Sequence, residues 1–144
     1  MNYDVIEYEK KYENELIKFI LDICVKEFGI SEYEQALINH VKNNEFIKTW
    51  IVIENKKIVG TICYSERSNE IAEIKKLYIE KSHRRNGLGK ILVNKAVEYI
   101  KQCNYKSIYV GTSDHFENAI KFYKKYGFEY IFDEGDGYIF ELKL

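Results

Sequence analysis

Lys81-Ser-His-Arg-Arg-Asn-Gly-Leu-Gly-Lys90 joins an extended apolar segment, Ile74 to Ile79, to an amphipathic stretch running from Leu88 to Ile100. A glycine-bearing loop in that setting can turn backbone N–H groups and an arginine toward a diphosphate, and the helix that follows adds positive potential from its N-terminus. Lys81, Arg84, Arg85 and Lys90 set four positive charges against the single acid Glu80, in a chain whose net charge is -1. The loop reads as a local anion site in a near-neutral protein.

Spacing separates the phosphate loops it could be. A nucleoside-triphosphate loop, G-x-x-x-x-G-K-[S/T], aligned on Gly89-Lys90 puts Arg84 at the first glycine and Ile91 where the magnesium-binding hydroxyl belongs, and fails. A dinucleotide loop requires a third glycine where Leu92 stands, and fails too. What remains is R-x-x-G-x-G, as Arg84-Arg-Asn-Gly87-Leu-Gly89. With this spacing after a strand and before a helix, the chain resembles the GNAT superfamily of acyl-CoA-dependent N-acetyltransferases. Glu73-Ile-Lys-Lys-Leu-Tyr-Ile79 is similar to that family's central strand, and Ala119-Ile-Lys-Phe-Tyr123-Lys-Lys-Tyr-Gly127-Phe128 to its last helix and the turn beyond. The resemblance covers residues 48 to 144 by motif and the first 47 by element order. Three positions depart from the family pattern: Lys81 where proline is frequent, Arg85 where glycine is frequent, and Phe116 where many members carry a CoA-contacting asparagine, with Asn118 close by.

The length of 144 residues fits a single domain over 1–144, and 46% hydrophobic with 31% charged residues is the balance of a globular chain. The opening residues mix acids and bases, Asp22 cuts the run Phe19-Ile20-Leu21, and no stretch reaches the ~20 apolar residues of a membrane span. Cys24, Cys63 and Cys103 are scattered and odd in number, which speaks against a disulfide framework or a zinc site. The expectation is a cytoplasmic protein with no metal, no membrane partner and no nucleic-acid partner.

Periodicity predicts a strand over 3–8, a helix over 12–28 ended by Gly29, and a weaker helix over 32–43. A hairpin of 50–53 and 58–64 follows, then a strand over 71–79, a helix from 88, a strand over 106–111, a helix over 115–126, and closing strands near 128–132 and 137–143. This order predicts an α/β (α+β) fold: a mixed, mostly antiparallel sheet of six to seven strands with helices on both faces, the GNAT acyl-CoA N-acyltransferase fold. Only the strands flanking the helix at 88 require a parallel crossover.

The resemblance implies acetyl-CoA as cosubstrate and direct attack by a primary amine in a ternary complex. Backbone N–H groups of Arg84, Arg85, Asn86, Gly87, Leu88 and Gly89, with the Arg84 side chain, would hold the diphosphate; Lys90 and Asn118 are further candidate CoA contacts, Asn118 if it replaces the asparagine displaced by Phe116. The resemblance also implies a bulge near Lys76 and Leu77, where the alternation of Ile74-Lys75-Lys76-Leu77 breaks. An N–H near Leu77 would meet the thioester carbonyl, with Leu77, Tyr78 and Ile79 along the pantetheine. Tyr123, four residues before Gly127, would protonate the leaving thiolate and contact the cosubstrate; the bland alternative is an aromatic helix face formed with Phe122 and Tyr126. Glu73 would be the base, or orient the acceptor, or simply pair with a lysine on the strand. His83 and His115 are expected to face solvent, His40 has no evident partner, and Cys63 and Cys103 read as core residues.

The acceptor pocket would involve residues near Phe28 to Tyr33, Glu73, and Asp133 to Tyr138. Glu32, Glu34, Asp133, Glu134 and Asp136 hint at a cationic acceptor. A small amine or amino-acid-like molecule is expected. The rivals are a CoA-binding sensor without catalysis and a protein or peptide N-acetyltransferase. Monomer and homodimer both fit.

Overall fold

Apolar residues on either side of the polar turn Asn55-Lys56 bring the middle of the chain back on itself. Both turn residues take left-handed φ, 50° and 64°, the geometry of a two-residue hairpin turn whose twist matches its strands. The computed structural model describes residues 3–113 and 116–144. It contains strands β1 (Tyr3–Glu7), β2 (Lys48–Glu54), β3 (Lys57–Ser68), β4 (Ile71–Ile79), β5 (Ser107–Ser113), β6 (Glu129–Glu134) and β7 (Gly137–Lys143). The α-helices among the described residues are α1 (Glu13–Leu21), α2 (Glu34–Lys42), α3 (Leu88–Lys101) and α4 (Glu117–Tyr126).

The strands form one seven-stranded sheet in the order β1-β2-β3-β4-β5-β7-β6. Every neighbouring pair is antiparallel except β4 and β5, which run parallel as the α3 crossover requires. On one face, Leu88, Leu92, Val93, Ala96, Val97 and Ile100 of α3 pack with Trp50, Ile62, Tyr64, Ile74, Ile108, Val110 and Phe140 of the sheet. Burying each such Leu or Ile contributes about 1.5–3 kcal/mol. On the other face, Leu16, Phe19 and Ile20 of α1 and Leu37 and Val41 of α2 close over Ile51 and Ile58. The buried hydroxyl of Thr61 is satisfied by the Trp50 carbonyl at 3.0 Å.

The helix expected over 12–28 is divided. α1 ends at Leu21, and Asp22–Glu27 winds as a π-helical turn before Gly29 (φ 69°) stops it. In that turn the Phe28 N–H reaches back five residues to the Ile23 carbonyl at 3.1 Å. Such turns rotate the residues after them relative to a regular α-helix and recur at functional sites. Ile23 and Cys24 stay buried while Glu27 and Phe28 come to face the loop that precedes α3.

Candidate active site

Parallel pairing of β4 with β5 runs only from Ile71–Ser107 to Ile74–Val110. Beyond it β5 continues against β7 through Ser113, and β4 continues against β3 through Ile79, so the two strands part in a V. At the opening, β4 carries a bulge: Cys63 faces Lys75 and Thr61 faces Tyr78, leaving Lys76 and Leu77 opposite Ile62 alone. Lys76 takes φ 57°, so the expected bulge sits where the alternation of the strand breaks. The half-buried Leu77, Tyr78 and Ile79 edge the V.

The loop at the mouth of the V, beyond Ile79, is tied down by acids that sequence reading did not assign to it. His83, expected to face solvent, instead bonds Glu54 Oε1 through Nε2 at 2.9 Å and lies 3.0 Å from Ser82 Oγ through Nδ1. Arg84 donates from Nε to the Ile79 carbonyl at 2.9 Å and from Nη2 to Glu27 Oε1 at 2.7 Å, and its Nη1 pairs with Glu27 Oε2. These hydrogen bonds hold the Glu27 carboxyl below the usual carboxylate range. The side chain expected to grip a diphosphate is thus engaged with the end of the π-helical turn, and Glu80 is not the only acid beside the loop. Next to that pair, Phe28 packs edge-on against Phe116 at 5.0 Å, so the phenylalanine at the family's asparagine position has an aromatic partner. Asn118 is exposed on the first turn of α4.

Backbone donors remain. Among the described residues, the N–H groups of Arg85, Asn86 and Gly87 meet no carbonyl, and those of Leu88, Gly89 and Lys90 belong to the open first turn of α3. Arg85 (φ 66°) and Gly87 (φ 83°) are both left-handed. This explains why glycine is frequent at the Arg85 position, since a Cβ there costs about 1–2 kcal/mol. Arg85→Gly is expected to raise the melting temperature by about 3–5 °C while weakening acetyl-CoA binding a few-fold through the lost charge. Scanning calorimetry and titration check the pair of effects; an unchanged melting temperature would show that the loop is not strained.

Tyr123, on α4, is buried against Phe128 with ring centroids 5.6 Å apart. Burial pushes its phenol above the ordinary value. Burial does the same for Tyr78, with smaller contributions from Cys24, Tyr123 and Cys63. Tyr123 belongs to the α3-side cluster and Tyr78 packs on the α1-side cluster, yet Tyr123 is near enough to contribute to the raised Tyr78 phenol. Burial also lowers the Lys76 ammonium, which stands near Cys24 and Cys63. The Cys63 thiol, buried beside Thr49, is pushed up to about 12, which fits an inert core residue.

Glu73 lies on the sheet face opposite α3. Its Oε1 accepts from Arg67 at 3.0 Å, and its Oε2 lies 4.0 Å from Lys75 Nζ. Both carboxylate oxygens therefore face cations, as in the paired-strand alternative raised from sequence. Arg67 also pairs with Glu134 of the β6–β7 turn. His40 stands 3.7 Å from Glu45 and edge-on to Phe46; His115 lies outside the described residues. Sequence reading missed Glu27, whose partner Arg84 lies 57 residues away in the chain, and Arg67, which links Glu73, six residues on, to Glu134, 67 residues on. No local pattern marks such pairs.

A family model described as the acetyltransferase (GNAT) family matches residues 13–128. A GNAT-family acetyltransferase structure from Staphylococcus aureus is 31% identical, with 99% of each chain covered and a TM-score of 0.90. A structure from Bacillus anthracis holding acetyl coenzyme A is 26% identical over 70% of this chain and 67% of that one, with a TM-score of 0.64. An uncharacterized N-acetyltransferase of Methanocaldococcus jannaschii is 37% identical over 60 residues, 42% of this chain and 26% of the relative. The chain spans about a quarter to a half of the length of the curated relatives it matches. With the family match, the seven-stranded sheet and the R-x-x-G-x-G loop in agreement, the chain belongs to the GNAT acetyltransferase family.

Proposed function

We propose that this protein transfers the acetyl group of acetyl-CoA to a primary amine of a small acceptor, by direct attack in a ternary complex. The observation that carries the proposal is the V between β4 and β5, which lies between the donor-rich loop and the bulge on β4. The diphosphate lies on the N–H groups of Arg85 to Lys90, where the open first turn of α3 adds its dipole. Gly87 and Gly89 let the backbone approach the ligand. The pantetheine follows Leu77, Tyr78 and Ile79 into the V and leaves its thioester at the bulge, where the Leu77 N–H polarises the carbonyl. The neutral amine nitrogen bonds to the carbonyl carbon, the C–S bond breaks, and the thiolate takes a proton from the Tyr123 hydroxyl. The proton shed by the nitrogen restores the phenol.

Glu73 is assigned to positioning the Arg67 guanidinium beside the acceptor site and not to removing the acceptor's proton, because Arg67 and Lys75 already face its oxygens. Binding of acetyl-CoA is supported by the Bacillus anthracis structure that holds it. The test is release of free thiol from acetyl-CoA across amines, amino acids and short peptides. Turnover on one class is the expected result. Tight acetyl-CoA binding with no release on any acceptor would make the protein a sensor and end the catalytic reading.

A further inference from the structure

Arg67 stands on the acceptor side of the sheet, beside the apex of the V. Glu73 and Tyr109 face away from α3, because the residues alternating with them, Ala72, Ile74, Ile108 and Val110, point into the α3-side core. The Arg67 guanidinium lies over the Tyr109 ring at 5.2 Å and over the Phe132 ring at 5.7 Å. Its edge donates to Glu73 and to Glu134. These carboxylates are unequal: the Glu73 side chain is 15% exposed and that of Glu134 is 52% exposed. Glu134 ends β6, a strand exposed along its whole length, beside the hairpin turn at Gly135. An exposed ion pair of that kind contributes little and is readily exchanged. The two rings touch each other edge-on with centroids 6.1 Å apart, and a guanidinium packed against such a pair is weakly hydrated, with a fork whose geometry suits a carboxylate.

The charges nearby point the same way. Lys75 and Lys76 follow Glu73 on β4, so the acceptor side of the V carries three cations with Arg67. Two of the three hairpin acids expected to attract a cationic acceptor are engaged, Glu134 with Arg67 and Asp133 with the Tyr130 hydroxyl at 2.7 Å, which leaves Asp136. A polyamine would set further positive charge against these groups, a repulsion that selects against it.

Building on the acetyl-transfer reading above, we infer that the acceptor carries a carboxylate as well as its amine, and that Arg67 receives this carboxylate in place of Glu134. The acceptor class is then amino-acid-like. Glu73 stays on the other side of the guanidinium and holds it in place as the exchange occurs.

The experiment compares matched acceptors that differ only in the carboxylate, such as lysine with 1,5-diaminopentane and ornithine with 1,4-diaminobutane, by thiol release from acetyl-CoA. The carboxylate member is expected to have kcat/KM at least about tenfold higher. Arg67→Gln is expected to erase that preference by raising KM for the carboxylate member, with KM for acetyl-CoA unchanged. Arg67→Lys keeps the charge without the fork and falls between. Glu134→Gln frees the guanidinium and lowers KM for the carboxylate member, a readout that does not depend on Arg67→Gln folding. Equal or better use of the diamines overturns the inference and leaves acetyl transfer standing. A uniform loss on both members in Arg67→Gln with a lowered melting temperature makes Arg67 a structural tie, and also overturns it. No thiol release on any acceptor removes the underlying reading, and the inference with it.

Discussion

Arg84→Ala is expected to weaken acetyl-CoA binding by roughly ten- to a hundredfold, and Glu27→Gln to strengthen it several-fold. Hydrogen bonds to a charged group contribute about 1.5–3 kcal/mol, which sets the first range. The second expectation comes from competition. In this structure the guanidinium is held by both oxygens of Glu27 and by the Ile79 carbonyl, so a diphosphate must take it from Glu27 before Arg84 can serve the ligand. Replacing the carboxylate by an amide weakens that hold and leaves the shape. Titration calorimetry with CoA reads both variants. If Glu27→Gln binds no more tightly than the wild type, Arg84 stays on Glu27 and the loop acts through its backbone alone.

The sign of the pH effect follows from the same pair. The Arg84 hydrogen bonds, the largest influence on Glu27, lower its pKa. The stability it contributes is therefore fully present above the ordinary glutamate value of about 4.3 and is lost as pH falls through the depressed one. Across neutral and alkaline pH the competition for Arg84 is constant.

Tyr123→Phe is expected to reduce turnover by at least about tenfold, and by up to 10²–10⁴-fold if proton donation limits the rate. The melting temperature should hardly change, because the ring packing against Phe128 is retained and the hydroxyl makes no hydrogen bond among the described residues. KM for acetyl-CoA should change less than kcat, since the lost interaction is with the departing sulfur. Burial raises the phenol, so Tyr123 keeps its proton up to at least about pH 10 and causes no alkaline fall in rate below that. A Phe variant with wild-type turnover would return Tyr123 to the aromatic core, the other role its position on α4 allows.

The loop from Lys81 to Lys90 was legible because its chemistry is local: the glycine spacing, the preceding strand and the following helix all lie within about 30 residues. The bulge at Lys76 was expected from the family resemblance, and the broken alternation of Ile74-Lys75-Lys76-Leu77 agreed with it. What the residues around Arg84 did not reveal is that its side chain would be met by Glu27, because that pairing depends on where α1 docks and on the π-helical turn that ends it. His83 was misjudged for the same cause: the β2–β3 hairpin delivers Glu54 to it from 29 positions away. Glu73 could be identified as a strand carboxylate, whereas its clamping by Arg67 required the sheet register. Local spacing reveals backbone chemistry, and the charge state of a site is set by partners that tertiary packing supplies.

The seam between β4 and β5 is held by the four pairs from Ile71–Ser107 to Ile74–Val110, while β5 pairs with β7 over its full length. A pantetheine arm lying in the gap would offer its amides to both strands as a short surrogate strand. The cosubstrate would then complete the architecture as well as supply the acyl group. At a hundredfold excess over its dissociation constant such a ligand adds about 2.7 kcal/mol to the folded state. The lifetime of the protein in a cell would in that case follow the acyl-CoA supply, with the empty chain the form that proteases clear first.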